Sequence, residues 1–533
     1  MKNALPLAVL LVICGIFIAH AAYLNCVAED AFISFRFAGN LADGFGMRWN
    51  TDEAPVEGYT NFLWVLLAAL AVKLGLFLPS FSQVLGVASG VATILGVYFF
   101  ARRILCLTGM SAVLPCLFLA LSGPFATWSS SGMETTLFGF FLLVGVLGFV
   151  SYLRSRSLRL LYLGYLSLLA ASLTRPEGFG VFLIVSGLHF LAVCRRKMPF
   201  RPFAFSVLLY GLPFLVYFAW RVQYFGFLLP NTFYAKTGGS LYQYLRGLKY
   251  SGLFLALYVL PFIPLVVFLI WEKRKGTPRS GNIRSRVPGA GPGLWVIFPV
   301  CTLYTLYIVY VGGDYMAMFR FYAPLLPLIY FLMAAAFYSL FGRLEAAPGK
   351  RAAAGAFLVL FLALTLFHST PLEMKVFPEP SFMHGTYRGV QTERWHVARL
   401  SLIGKYFNRY KKSGQESLTT RAIGAISFYA RLKIYDQDGL VDPEIAHQKA
   451  EDIGRGFPGH EKTNVLHSLL KNPTYFVFDR RIYRKPITPP RYGAEADALI
   501  RENYRLSHAW LEDRVNDEKG YLTFLELKKN KRR

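Results

Sequence analysis

The chain has 533 residues, 54% hydrophobic and 16% aromatic, with a mean hydropathy of +0.40. That is too apolar for a soluble globular protein of this size. Its 57 Lys and Arg against 31 Asp and Glu give a net charge of +26, but the cations sit in short clusters between apolar runs of about 20 residues. They read as membrane topology and exclude a nucleic-acid footprint. The cysteines end at Cys301, so no disulfide framework supports the C-terminal part.

The first run, Ala4 to Leu24, is long enough to span a bilayer. Lys2 and the triplet Ala19-His20-Ala21 also fit a cleavable signal peptide, but a signal's apolar core is usually about 7 to 15 residues, so an uncleaved helix is expected. Ten further spans are expected near residues 82–101, 104–123, 135–152, 160–174, 179–194, 204–225, 252–271, 294–311, 322–341 and 352–368, making eleven. Basic clusters recur at Arg102-Arg103, at Arg154, Arg156 and Arg159, at Arg195-Arg196-Lys197, from Lys273 to Arg286, and at Lys350-Arg351. They occupy every second loop, which places those loops in the cytoplasm.

Asn61 to Leu78 is apolar but interrupted by Lys73 and ended by Pro79. A crossing there would move every later cluster outside, so the segment is expected to return as an interfacial or partly inserted helix. Gly276 to Gly293 reads as a flexible cytoplasmic linker. After residue 368 charges become dense, apolar runs shorten to strand length, and Pro371, Pro378 and Pro380 punctuate the join. Two domains are therefore expected, a mainly α transmembrane bundle over 1–368 and an extracytoplasmic α/β domain over 369–533. No tandem or inverted repeat is visible.

With that orientation the unusual polar residues collect on the outer side. They are Glu29-Asp30 after the first span, Glu134, the short loop holding Arg175 and Glu177, Asn231 and Lys236, and Asp314 with Arg320. Ionisable groups near membrane depth are costly and usually face an interior or a water-filled cavity. Bland readings exist for each: an interfacial ion pair for Arg175 and Glu177, snorkelling for Lys236 and Arg320, a helix-dipole acid for Glu134. The adjacent Glu29 and Asp30 are harder to dismiss, since neighbouring acids at a membrane edge repel one another. A carboxylate there can take a proton from an attacking hydroxyl, and cations can hold a phosphate leaving group.

The stretch Ala28-Glu-Asp-Ala-Phe-Ile-Ser-Phe-Arg-Phe-Ala-Gly-Asn-Leu-Ala-Asp-Gly-Phe-Gly46, followed by Val56-Glu-Gly-Tyr-Thr-Asn-Phe-Leu-Trp64, resembles the first outer loop of GT-C membrane glycosyltransferases. The likeness is greatest to the branch holding the mycobacterial terminal arabinofuranosyltransferase. It continues through Leu173–Gly178, Leu229–Lys236, Gly312–Asp314 with Arg320-Phe321, Asp436–Pro443 and Gly459–Lys462. The resemblance implies a GT-C bundle, a polyprenyl-phosphate sugar donor such as decaprenyl-phosphate arabinofuranose, and a cell-envelope glycan acceptor. It also implies a bacterial inner-membrane location with the site on the periplasmic side.

On the same resemblance Asp30 is the general base and Glu29 its partner, with Arg175, Lys236, Arg320, Glu134, Glu177, Asp314, Tyr59 and Asn231 binding donor phosphate or substrate. The family pair is often two aspartates, and Glu29 departs from it by one methylene. No cofactor is expected, and although two acids could bind a divalent cation, the outer-domain histidines (His384, His396, His447, His460, His467) lack ligand spacing. His460-Glu461, Asp436, Asp438 and Asp442 are polar enough to touch sugars, and Trp395 could stack on one. A lipid-linked sugar flippase or an O-antigen-type polymerase or ligase would also want charges near a cavity; against a flippase, the polar residues lie at one face, away from the midplane.

Overall fold

The computed structural model describes residues 4–263, 267, 293–341, 348–372, 387–450 and 453–528. The basic cluster 273–286, the linker from Gly276 up to residue 292, the end of the expected span 252–271, Pro378, Pro380 and His384 lie outside them. The chain forms two compact units. One is drawn from residues 1–25, 82–218 and 245–390, the other from 26–81, 219–244 and 391–533. The boundary expected at 368/369 is a single cut, whereas the second unit gathers two segments from the apolar half together with the C-terminal part.

The first unit is helical. Among the described residues six helices are long and apolar enough to cross a membrane: Ala4–Tyr23, Leu78–Ile104, Thr135–Ser155, Glu177–Cys194, Phe200–Phe225 and Leu294–Val311. A seventh span results if Gly109–Ala120 and Gly123–Ser129, bent by 69° at their break, are counted as one. Three further runs expected to span form shorter apolar helices, Leu158–Thr174, Ala323–Tyr338 and Arg351–Phe367. The described residues thus show six or seven such spans where eleven were expected over the whole chain, and apolar character in sequence does not reveal where a helix breaks. Pro115 and Pro124, for example, each stand in the first turn of a new helix. The protein is a multi-pass membrane protein, and helix Phe200–Phe225 leaves Phe205, Leu208, Leu212, Leu215 and Val216 exposed for lipid.

Small residues let the helices approach. A Cβ on Gly148 would stand 2.8 Å from the Leu160 carbonyl oxygen and 3.1 Å from Gly164, so helices Thr135–Ser155 and Leu158–Thr174 touch backbone to backbone. Close packing of this kind drives helix association in lipid, where the hydrophobic effect between helices is absent.

The second unit carries a five-stranded sheet of β1 (Ser417–Thr420), β2 (Lys433–Asp436), β3 (Tyr475–Phe476), β4 (Tyr504–Asp513) and β5 (Glu518–Leu527) in the order β2-β1-β3-β5-β4. β1 runs parallel to both β2 and β3, while β5 is antiparallel to β3 and β4. Helix Ala494–Asn503 covers one face through Ala496 and Ile500, which pack with Leu469, Phe476, Tyr504 and Leu525. Asn50 extends the sheet's bonding beyond β2. Its Oδ1 accepts from the Ile434 amide at 3.0 Å and its Nδ2 donates to the Ile434 carbonyl at 3.0 Å, while the Trp49 indole donates to the same carbonyl at 3.0 Å.

Phe62–Lys73, in the segment expected to return without crossing, is a helix of 12 residues. At 1.5 Å per residue it is about 18 Å long, short of a hydrocarbon core of about 30 Å.

Candidate active site

The acid pair sits at the head of helix Ala31–Ala42, where Asp30 is the N-cap residue. Its backbone is already helical, and its side chain does not cap its own helix. The helix is fixed from below by Arg36, which donates to the Trp49 carbonyl, the Asn50 side chain and the Leu432 carbonyl, each at 2.9 Å.

Glu29 is buried and faces the turn after β1. Its Oε1 accepts from the Gly424 amide at 2.5 Å and the Ala425 amide at 3.3 Å, while its own amide donates to the Glu393 carboxylate at 2.8 Å. Gly424 permits this approach, since a Cβ there would run into the Glu29 carbonyl and stand 2.7 Å from Oε1. Burial, then the neighbouring Asp30 and Glu393 carboxylates, push the Glu29 pKa up to about 8, against the opposing Gly424 hydrogen bond.

A carboxyl whose folded pKa lies above its unfolded value of about 4.5 binds a proton in the native state that the unfolded state has already released. Stability therefore falls as pH rises from about 4.5 to about 8. Glu29→Gln, whose amide oxygen can accept the same two hydrogen bonds, should flatten this limb. Thermal unfolding of the detergent-purified protein between pH 5 and 9 checks it; a slope equal to wild type would show that Glu29 does not titrate in that window.

Tyr59 and Asn231 lie in the same unit and are buried. The Tyr59 hydroxyl points at the Met47 sulfur at 2.7 Å and its ring packs on Phe37 at 4.8 Å. The Asn231 amide donates to the carbonyls of Gly439 at 2.8 Å and Leu440 at 3.0 Å, pinning the turn after β2. Lys236 closes the short helix Asn231–Lys236, is half-buried beside Gly459, and has no hydrogen bond or ion pair among the described residues.

The remaining expected residues gather in the first unit. Arg175 donates to Glu134 at 2.8 Å and grips Glu177 through Nη2 at 2.8 Å and Nε at 3.3 Å. Arg320 pairs with Asp314 at 2.5 Å. The two guanidiniums lie 5.6 and 5.1 Å from the Phe321 ring, so one aromatic joins both ion-pair groups. Such buried carboxylates partly neutralise the arginines and fix their direction.

Of the outer-domain acids, Asp436 accepts from the Asp438 and Val441 amides at 2.9 and 3.1 Å, and Asp442 caps Pro443–Ala446 while pairing with Lys471 and His467. These contacts shape loops. Among the described residues no group of three His, Cys, Asp or Glu stands together in metal-binding range.

Several residues escaped sequence reasoning. Glu57 and Arg221 form a buried ion pair at 2.6 Å, and the buried Lys462 ammonium donates to the Tyr234 and Ala446 carbonyls, both at 2.7 Å. Glu393 and Arg36 belong to the same group. Arg36, Glu57 and Lys462 fell within stretches singled out beforehand, but partners such as Arg221 for Glu57, Leu432 for Arg36 and Tyr234 for Lys462 are far away in sequence, so local pattern carried no signal for the contacts themselves.

Residues 386–524 match a family described as a domain of unknown function (DUF8728). Over 334 residues the chain is 26% identical to the terminal beta-(1->2)-arabinofuranosyltransferase of Mycobacterium tuberculosis (strain ATCC 25618 / H37Rv), a match covering 57% of this chain and 51% of that protein. The chain thus spans about half the length of that curated relative. In structure it is similar to ArnT from Cupriavidus metallidurans in the apo state, with TM-score 0.54 and 14% identity over 98% of this chain and 97% of that one. The same protein bound to undecaprenyl phosphate gives TM-score 0.50 and 13% identity over 81% and 85%. Likeness along nearly the whole of both chains shows that this protein has the fold of the GT-C membrane glycosyltransferases.

Proposed function

We propose that the protein transfers a sugar from a polyprenyl-phosphate donor to a cell-envelope glycan on the outer side of the bacterial inner membrane. The observation that carries the reading is the divided acid pair. Glu29, its pKa pushed up to about 8, keeps its proton at neutral pH. Two backbone amides occupy Oε1 of Glu29, which leaves Oε2 to bear the proton. A neighbour held neutral avoids repulsion between adjacent carboxylates and lets Asp30 act as a base.

In the proposed step the acceptor hydroxyl oxygen attacks the anomeric carbon as Asp30 takes its proton. The bond from that carbon to the phosphate oxygen breaks, and polyprenyl phosphate leaves with the electron pair, inverting configuration. Lys236, in the same compact unit as Asp30, is the cation assigned to the donor phosphate. Lys236 is the best placed to act unaided, because Arg175 and Arg320 already share carboxylates. The step uses no cofactor. Arabinofuranose is the first sugar to try, on the strength of the arabinofuranosyltransferase relative.

The test is transfer by membranes carrying the protein, with synthetic polyprenyl-phosphate pentoses and hexoses as donors and release of free sugar to water followed alongside. Donor-dependent transfer or hydrolysis names the sugar; none with any donor rejects the reading.

A further inference from the structure

The parallel part of the sheet has a switch point. The chain leaves β1 to pair β2 on one side and then returns to place β3 on the other side of β1, with the register running Thr420 beside Asp436 and Thr419 beside Phe476. In doubly wound α/β sheets ligands bind beyond the carboxyl ends of strands at such a point, where the connections part. Here each of the three carboxyl ends delivers a charged residue: Arg421 directly after β1, Asp438 two residues after β2, and Arg480 four residues after β3.

These residues meet. Asp438, buried, accepts from Arg421 at 2.9 Å and from His460 at 2.7 Å, and Arg421 donates to the His460 carbonyl at 3.1 Å. Arg480 is half-buried and interacts through space with Asp438, Arg421, Glu29 and Asp479. Asp438 is already shared by Arg421 and His460, Asp479 is engaged by Arg481 and Tyr483 at 2.7 and 2.9 Å, and Glu29 is occupied by backbone amides. Arg480 itself makes no hydrogen bond or ion pair among the described residues. Arg480, Arg399 and His460 act on His396 through space, and burial followed by those charges holds its pKa near 4, so the ring is neutral.

A guanidinium removed from much of its water and left without a partner is costly. The same position is favourable once an anion supplies the missing acceptors. We infer that Arg480, with Arg421 and His396, forms an anion-binding crevice at the β1/β3 switch point, near Glu29, which receives a phosphate or carboxylate group of a substrate. The inference deepens the proposed transfer reaction and rests on it for the word substrate. The anion belongs either to the lipid phosphate of the donor or to an acidic acceptor glycan.

Binding is measured on the full-length protein in detergent with three probes: undecaprenyl phosphate, inorganic phosphate and a short oligogalacturonate. Arg480→Gln should weaken at least one by about 10- to 100-fold, the loss of one charge-assisted contact, with the unfolding midpoint not lowered and part of the affinity restored in Arg480→Lys. A loss that includes undecaprenyl phosphate assigns the crevice to the donor, and a loss confined to the soluble anions assigns it to the acceptor. If wild type binds none of the three, or Arg480→Gln binds all of them within about threefold of wild type, the inference is wrong. Should Arg480→Gln not fold, protection of Arg480 from phenylglyoxal by the same probes in the wild-type protein, read by mass spectrometry, decides in its place. Because no readout needs turnover, an anion site in a chain that transfers no sugar overturns the proposed reaction alone.

Discussion

Asp30→Asn should lower the rate of sugar transfer by about 10²- to 10⁴-fold, the contribution of a positioned general base, while donor affinity changes little. The side chain keeps its size but loses its charge and its ability to take a proton. Its surroundings should hold, since helix Ala31–Ala42 is fixed through Arg36 and through the contacts of Glu29, not by an N-cap bond from Asp30. The loss should appear in kcat, because the proton moves only as the acceptor oxygen attacks. Initial rates across donor concentrations, with donor binding measured separately, check this. Transfer at the wild-type rate would remove Asp30 from the mechanism and turn attention to Glu29 and Glu134.

Arg175→Gln is expected to cost about 3–5 kcal/mol of stability, more than most single substitutions, because it leaves buried charges without their counter-ion. Arg175 is about 10% exposed at the side chain and its partners Glu134 and Glu177 are 3% and 4% exposed, so water cannot compensate either carboxylate. Removing the carboxylates as well should recover much of the loss. A buried ionic group replaced as a whole by neutral groups of similar volume is often tolerated, whereas a broken one is not. Thermal unfolding in detergent of Arg175→Gln and of the triple variant Arg175→Gln, Glu134→Gln, Glu177→Gln tests this pair of outcomes. A single variant as stable as wild type would show that the triad does not hold the helix ends together. A triple variant no better than the single one would show that Arg175 acts through some other contact.

Both substitutions touch residues that stood out in the sequence, but the sequence did not separate their roles. Glu29 and Asp30 were conspicuous as neighbouring acids after an apolar run, and Arg175 and Glu177 as charges in a very short loop. Asn231 and Tyr59 were grouped with them on family resemblance; the Asn231 Nδ2 donates to the Gly439 and Leu440 carbonyls, and Tyr59 meets Met47 and Phe37. Polar character alone cannot distinguish a side chain that meets substrate from one that satisfies a buried backbone group. Arg480 shows the converse. It looked like one more cation in a basic chain until the strand order placed it at a switch point, beside an acid whose hydrogen-bonding capacity is already used.

What the sequence determined by itself is what hydropathy and local periodicity encode: a multi-pass membrane chain, the positions of most apolar helices, and a C-terminal part of short strands and helices. These are properties of contiguous residues, since lipid selects about 20 apolar residues in a row and turns are set by a few neighbours. The tertiary structure alone decided which apolar runs break, as at the 69° bend after Ala120. It also decided that the first loop belongs to the same compact unit as the sheet, and that Glu29 keeps its proton at neutral pH. The Glu29 environment is assembled from Glu393, Gly424 and Arg480, hundreds of residues away along the chain. Burial and charge pairing depend on distance in space, and no local pattern carries that information.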